Sequence, residues 1–246
     1  MGYNKGDTYE EHIYNCCDEL KILPPTFSRA GAAADKPDIQ FIHQGKEYNL
    51  EVKDFTNPDY GQRRIHYYPD KKIWKWAKQD KLSELYEELG LKQEIPKKFS
   101  PIWYRKRIFK EGRKTRQNAE GMEYTLEDLQ GKNGDQKLFN IDNILIPREA
   151  LFLYYSLRDT FYIHIHNSGL YHLDSDPAGL GTSQFNGNPH FRFRVKRKNR
   201  SSPPHNCQFL GVMKLNKKNY PTLSEFNLDK ADFQKNQRYP DFISKT

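Results

Sequence analysis

The chain has 246 residues, 36% of them hydrophobic and 29% charged, with a formal net charge of +8. That length can bury a sizeable core, and the positive excess points to an anionic partner, of which nucleic acid is the commonest. No long apolar run and no apolar leader occur, so neither membrane spanning nor secretion is expected; three cysteines make no disulfide framework, which suits a reduced, cytoplasmic protein.

A first helix is expected over residues 8–23. Thr8-x-x-Glu11 fits a capping box, and Tyr9, Ile13, Cys16, Cys17 and Leu20 recur at helical spacing before Pro24-Pro25 ends the run. Glu10 and Glu11 in its first turn complement the helix dipole. A β-hairpin follows within Asp35 to Asp54. Ile39 and Phe41, then Tyr48, Leu50 and Val52, alternate as strand residues do, and Gly45 can take the positive φ of a tight turn. A turn centred on Gln44-Gly45 pairs residues whose numbers sum to 89, so Gln40 faces Asn49 and Asp38 faces Glu51. Opposed carboxylates repel at Cβ separations of about 5 Å, and Lys53 lies one pleat further on the same face. As a structural choice this is poor; as a seat for a hard cation such as Mg²⁺ it is good.

Thr56 to Arg64 reads as a polar turn, and Trp74, Ala77, Leu82, Leu85 and Leu89 predict a helix over about 70–89 that Gly90 caps. Residues 92–140 form a basic insertion in which cations such as Arg105 and Arg113 mix with Trp103, Tyr104 and Phe109, as in an arm following a phosphate backbone. Pro147 is placed to open a helix through Leu157. A second hairpin is expected from Phe161–His166 and Leu170–Leu173, with His164 and His166 as ordinary polar-face residues. From Pro177 to Ser224 there is no Asp or Glu, while nine lysines and arginines occur. Phe191-Arg-Phe-Arg-Val195 would set a basic strand face over an apolar one. Asn186, Asn188, His190, Arg192 and Arg194 suit base edges, and Lys196, Arg197, Lys198 and Arg200 suit phosphates. The fold expected is α/β, more fully a mixed α+β sheet flanked by helices, in one domain over 1–246 with its catalytic helix and hairpin at 7–54 and a basic, β-rich part at about 160–220.

Pro37-Asp38, twelve residues, then Glu51-x-Lys53 resembles the PD-(D/E)xK nuclease motif, with the likeness closest to type II restriction endonucleases; Gly6-x-x-x-Glu10 resembles the acid-bearing helix of many members. The resemblance implies a restriction-endonuclease-like core and Mg²⁺-dependent, sequence-specific hydrolysis of double-stranded DNA. Mn²⁺ would substitute, and Ca²⁺ would support binding without cleavage. Asp38 and Glu51 would bind the metal with the Val52 carbonyl, Lys53 would position or deprotonate the attacking water, and Glu10 (or Glu11) would complete the shell through water. Gln62 stands where some members carry a further active-site glutamine. A palindromic target would favour a homodimer, a monomer nicking each strand in turn being the alternative. The nearest other functions are a structure-selective repair or recombination nuclease of the same fold and a non-catalytic DNA-binding protein.

Overall fold

A computed structural model describes residues 5–29, 36–54, 59–68, 73–95, 141–197, 207–215, 220–230 and 238–239. The fold is mixed α+β: two sheets, one mixed and one antiparallel, with three helices among the described residues. The chain gathers into two compact units. One comprises Met1–Pro58, Pro147–Pro189 and Leu215–Thr246, the other Asp59–Ile146 and His190–Lys214. No described helix is long and apolar enough to cross a membrane.

The first unit opens with α1 (Lys5–Glu19), which ends well short of Pro24, and the hairpin of β1 (Ile39–His43) and β2 (Lys46–Lys53). Its register runs from Ile39↔Leu50 to His43↔Lys46, the pairing that the turn position predicts. Gln44 and Gly45 both have positive φ, at 51° and 73°, the backbone of a two-residue turn that matches strand twist. Gln40 donates its amide to the Asn49 side-chain oxygen at 2.9 Å. After α3 (Glu149–Ser156) comes the second hairpin, β6 (Thr160–Ile165) with β7 (Gly169–His172). β6 pairs parallel to β2, giving the order β1-β2-β6-β7. β2 is therefore a central strand, and Leu50, Glu51 and Val52 are all buried.

Alternation along β2 sorts the two faces. Leu50 and Val52 pack with Tyr9, Ile13 and Cys17 of α1 and with Phe41, Tyr162 and Leu170. Glu51 and Lys53 point the other way, on the face that Ile163 and Ile165 share by register. His164 corrects the expectation of an ordinary polar-face residue. It lies wholly buried on the α1 side, its Nε2 2.6 Å from the Asn227 side-chain oxygen and its Nδ1 3.3 Å from the Tyr9 hydroxyl. β7 opens on Gly169 at φ +103°, where a Cβ would run into the Phe226 carbonyl oxygen and lie 2.9 Å from the Ser224 Cβ. Gly169→Ala is expected to cost about 3 kcal/mol, read as a lower urea midpoint at unchanged slope.

The second unit is the antiparallel sheet β4-β3-β9-β8-β5, from β3 (Asp59–Tyr68), β4 (Ile73–Trp76), β5 (Ile141–Leu145), β8 (His190–Arg197) and β9 (Cys207–Lys214), with α2 (Lys81–Glu88). Two expectations fail here. Asp59 to Arg64 is strand rather than turn, with Gly61 at φ +58° where the β3–β9 register shifts. The helix expected over 70–89 is divided: Ile73–Trp76 is strand, because Trp76 packs against Phe193, Phe191 and Tyr86 as a sheet residue. The helix begins only after Asp80, which accepts from the Ser83 amide in a capping box. Gly90 follows α2 at φ +66°, the terminator expected of it.

Candidate active site

Asp38 lies one residue ahead of the β1–β2 ladder, opposite Glu51 in the continued register. Its Oδ2 accepts from the Val52 backbone N–H at 2.9 Å, which pins the carboxylate over the end of β2. Lys53 reaches back between the two acids: it is ion-paired with Glu51, and its Nζ stands 3.8 Å from Asp38 Oδ2. A fourth charged group enters from a distant part of the sequence. Arg158, in the turn between α3 and β6, places Nη1 4.0 Å from Glu51 Oε2. Arg158 is itself held by donating to the Tyr154 hydroxyl at 2.8 Å and to the Lys36 carbonyl at 3.3 Å.

The electrostatics follow from burial and proximity. Asp38 is pushed up to about 6, by burial first and by the charge of Glu51 second, with Lys53, the Val52 amide and Arg158 opposing the rise. Burial alone would depress the Lys53 ammonium, but Glu51 and Asp38 outweigh it and hold Lys53 above its ordinary value. For Arg158, too, burial lowers the affinity for its proton, and Tyr154 and Glu51 more than offset this. The two carboxylates thus favour the charged form of Lys53. Of the two roles open to it, electrostatic stabilisation is the one this geometry serves.

The donor set fits a hard divalent cation. Among the described residues no group of three or more His, Cys, Asp and Glu side chains is arranged to hold a metal ion. Mg²⁺, however, commonly takes only one or two carboxylates from a protein and completes its shell with phosphate oxygens and water. Asp38 and Glu51 provide that pair, and the burial and the Glu51 charge that raise Asp38 disfavour its ionised form, which such an ion would favour. The Val52 carbonyl would be the backbone donor.

Other expected site residues fall elsewhere. α1 packs over the Leu50 and Val52 face of β2, opposite to Glu51 and Lys53, so Glu10, half-buried on α1, belongs to a helix on the other side of the strand. Glu11 is ion-paired with Arg29 at 3.5 Å. Gln62 lies on β3, its side-chain oxygen accepting from Arg194 at 3.1 Å. A neighbouring pair escapes sequence reasoning: His166 Nδ1 is 3.0 Å from Asp54 Oδ1, with the Tyr9 ring stacked on the imidazole at 4.1 Å. Its backbone N–H donates to the Lys53 carbonyl, tying β6 to the end of β2.

The residues expected to meet DNA are only partly exposed. Asn186 clamps Thr222, donating to its hydroxyl and accepting from its amide, both at 3.0 Å; Asn188 is exposed. His190 and Arg192 are buried, which removes them from base edges in this conformation. Arg194 pairs with Asp59 at 2.5 Å, so the acid-free span obtains its counter-charge from β3. Lys196 and Arg197 end β8. Lys198, Arg200, Arg105 and Arg113 lie outside the described residues, as does nearly all of the 92–140 insertion. Compared with known proteins, the chain matches no family model, no curated protein and no solved structure.

Proposed function

We propose that the chain is an Mg²⁺-dependent endonuclease hydrolysing phosphodiester bonds in double-stranded DNA, in the sequence-specific manner of type II restriction endonucleases. What supports the reading is the convergence of Asp38, Glu51 and Lys53 at the end of one hairpin, with both carboxylates buried or half-buried and a lysine ammonium between them. Asp38 and Glu51 would hold the ion, which would supply Lewis acidity for the phosphoryl group. The chain's own groups do the rest. The Val52 amide fixes Asp38, Arg158 steadies Glu51, and Lys53 supplies positive charge for the oxygens of the phosphorane.

A second reading draws on the same ion pairs. Lys53 and Arg158 neutralise the two acids between them, as a purely structural ion-pair network would. Incubation with phage DNA and Mg²⁺ separates the readings. Discrete fragments are expected; a smear points to a structure-selective or non-specific nuclease, and uncut DNA to the structural network.

A further inference from the structure

The hydroxyl that holds Arg158 has a hydrogen of its own. Tyr154 sits in the last turn of α3, four residues before Arg158, the spacing that brings two helical side chains together. Arg158 Nη1 donates to the Tyr154 hydroxyl at 2.8 Å, and the guanidinium lies over the Tyr154 ring at 5.6 Å. The same Nη1 is 4.0 Å from Glu51 Oε2, and the Arg158 charge acts on Asp38 as well. Tyr154 is also within electrostatic range of Lys53. The phenol is therefore held, half-buried, at the rim of the Asp38, Glu51 and Lys53 cluster.

A hydroxyl both accepts and donates. Here the oxygen accepts from Arg158, and among the described residues no group accepts the hydrogen. Because an Arg158 N–H already faces the oxygen, the O–H must point away from the guanidinium, toward an acceptor that the chain does not supply. The charges around it say what kind. Asp38 and Glu51 offset Lys53 and Arg158, so a divalent cation held by the two acids brings positive charge that an anion must meet. Access agrees with this: Asp38 and Arg158 are 22% and 26% exposed against 6% for Glu51, so a ligand reaches the centre past Arg158 and its tyrosine.

We infer that Tyr154 is a substrate-binding residue of this centre, its hydroxyl donating to a non-bridging phosphate oxygen of the DNA strand while Arg158 fixes the phenol in place. The inference rests on the nuclease reading, which supplies the phosphate. An uncharged donor suits the position, because it adds a hydrogen bond to the anion without adding a third cation to compete for Glu51 and Asp38.

The test uses the full chain in Ca²⁺ and a short, fluorescently labelled duplex centred on a cleavage site mapped by sequencing the fragments that the wild type makes in Mg²⁺. Binding is read by anisotropy across a salt series. Tyr154→Phe keeps the ring over Arg158 and against Tyr155, so its thermal melt should stay close to that of the wild type. Its affinity is expected to fall about tenfold or more, the usual loss when a hydrogen bond to a charged group is removed. The log–log salt slope should not change, because an uncharged donor displaces no counterion. Unchanged affinity would overturn the inference. So would a slope shallower by about 1, the mark of a hydroxyl that serves only to keep Arg158 on a phosphate. Failure of the nuclease reading has a separate signature, a wild type that cuts no DNA, and it would take the phosphate contact down with it.

Discussion

Replacing Lys53 by alanine is expected to slow DNA cleavage by about 10²–10³-fold, the usual effect of removing one preorganised transition-state donor, while duplex affinity in Ca²⁺ stays within about threefold of wild type. The ammonium sits between Glu51 and Asp38 and is held in its charged form by both. Its removal leaves Glu51, only 6% exposed, with Arg158 at 4.0 Å as the remaining nearby cation. Losing one partner of a buried ion pair costs about 3–5 kcal/mol, so Tm should fall as well. A readout separate from activity follows. The variant's two carboxylates, left with Arg158 alone, should gain more Tm from added Mg²⁺ than the wild type does, because an ion that binds only the folded state stabilises it by mass action. A merely structural lysine predicts the fall in Tm without that metal-dependent recovery.

Asp38→Asn should remove cleavage and, at neutral pH without metal, make the protein more stable. Asp38 titrates at about 6 in the folded chain against an ordinary 3.8. The folded state therefore holds this proton more tightly than the unfolded state. The stability linked to the proton is present below about 3.8 and is lost as pH rises through about 6. At about 1.4 kcal/mol per pH unit, ionisation of a group 22% exposed removes up to about 3 kcal/mol. Asparagine carries no such charge and can still accept from the Val52 amide. The difference in unfolding free energy, variant minus wild type, should grow from pH 4 to pH 7 in urea titrations and narrow again when Mg²⁺ is added. A difference that does not change with pH would refute this assignment of Asp38.

The hairpin register can be read from the chain because Gly45 and the alternation from Ile39 to Val52 are local. Once the turn is placed, the facing of Asp38 and Glu51 follows from arithmetic. What sequence cannot supply depends on distant partners. Arg158 joins Glu51 across more than a hundred residues, and a lone arginine after a helix gives no signal beyond favouring that helix's dipole. Trp74 fits a helical spacing with Ala77, yet the neighbouring Trp76 stacks on Phe193 as a sheet residue; the Asp80-x-x-Ser83 cap is the cue that the helix starts later. The acid-free span from Pro177 to Ser224 suggests uncompensated charge, but β9 pairs with β3 and brings Asp59 to Arg194 and Lys214. His164 looks in sequence like one half of an exposed pair, whereas parallel pairing of β6 with β2 turns it toward Tyr9 beneath α1. In each case tertiary pairing overrides a correct local pattern.

The most direct measurement is a time course of supercoiled plasmid with wild-type chain and Glu51→Ala, purified in parallel, in Mg²⁺ and in Ca²⁺. The expected result is discrete linear fragments from the wild type in Mg²⁺, no cutting in Ca²⁺, and uncut plasmid with Glu51→Ala in either ion. Cleavage by Glu51→Ala at the wild-type rate would contradict the assignment of the Asp38–Glu51–Lys53 cluster as the catalytic centre.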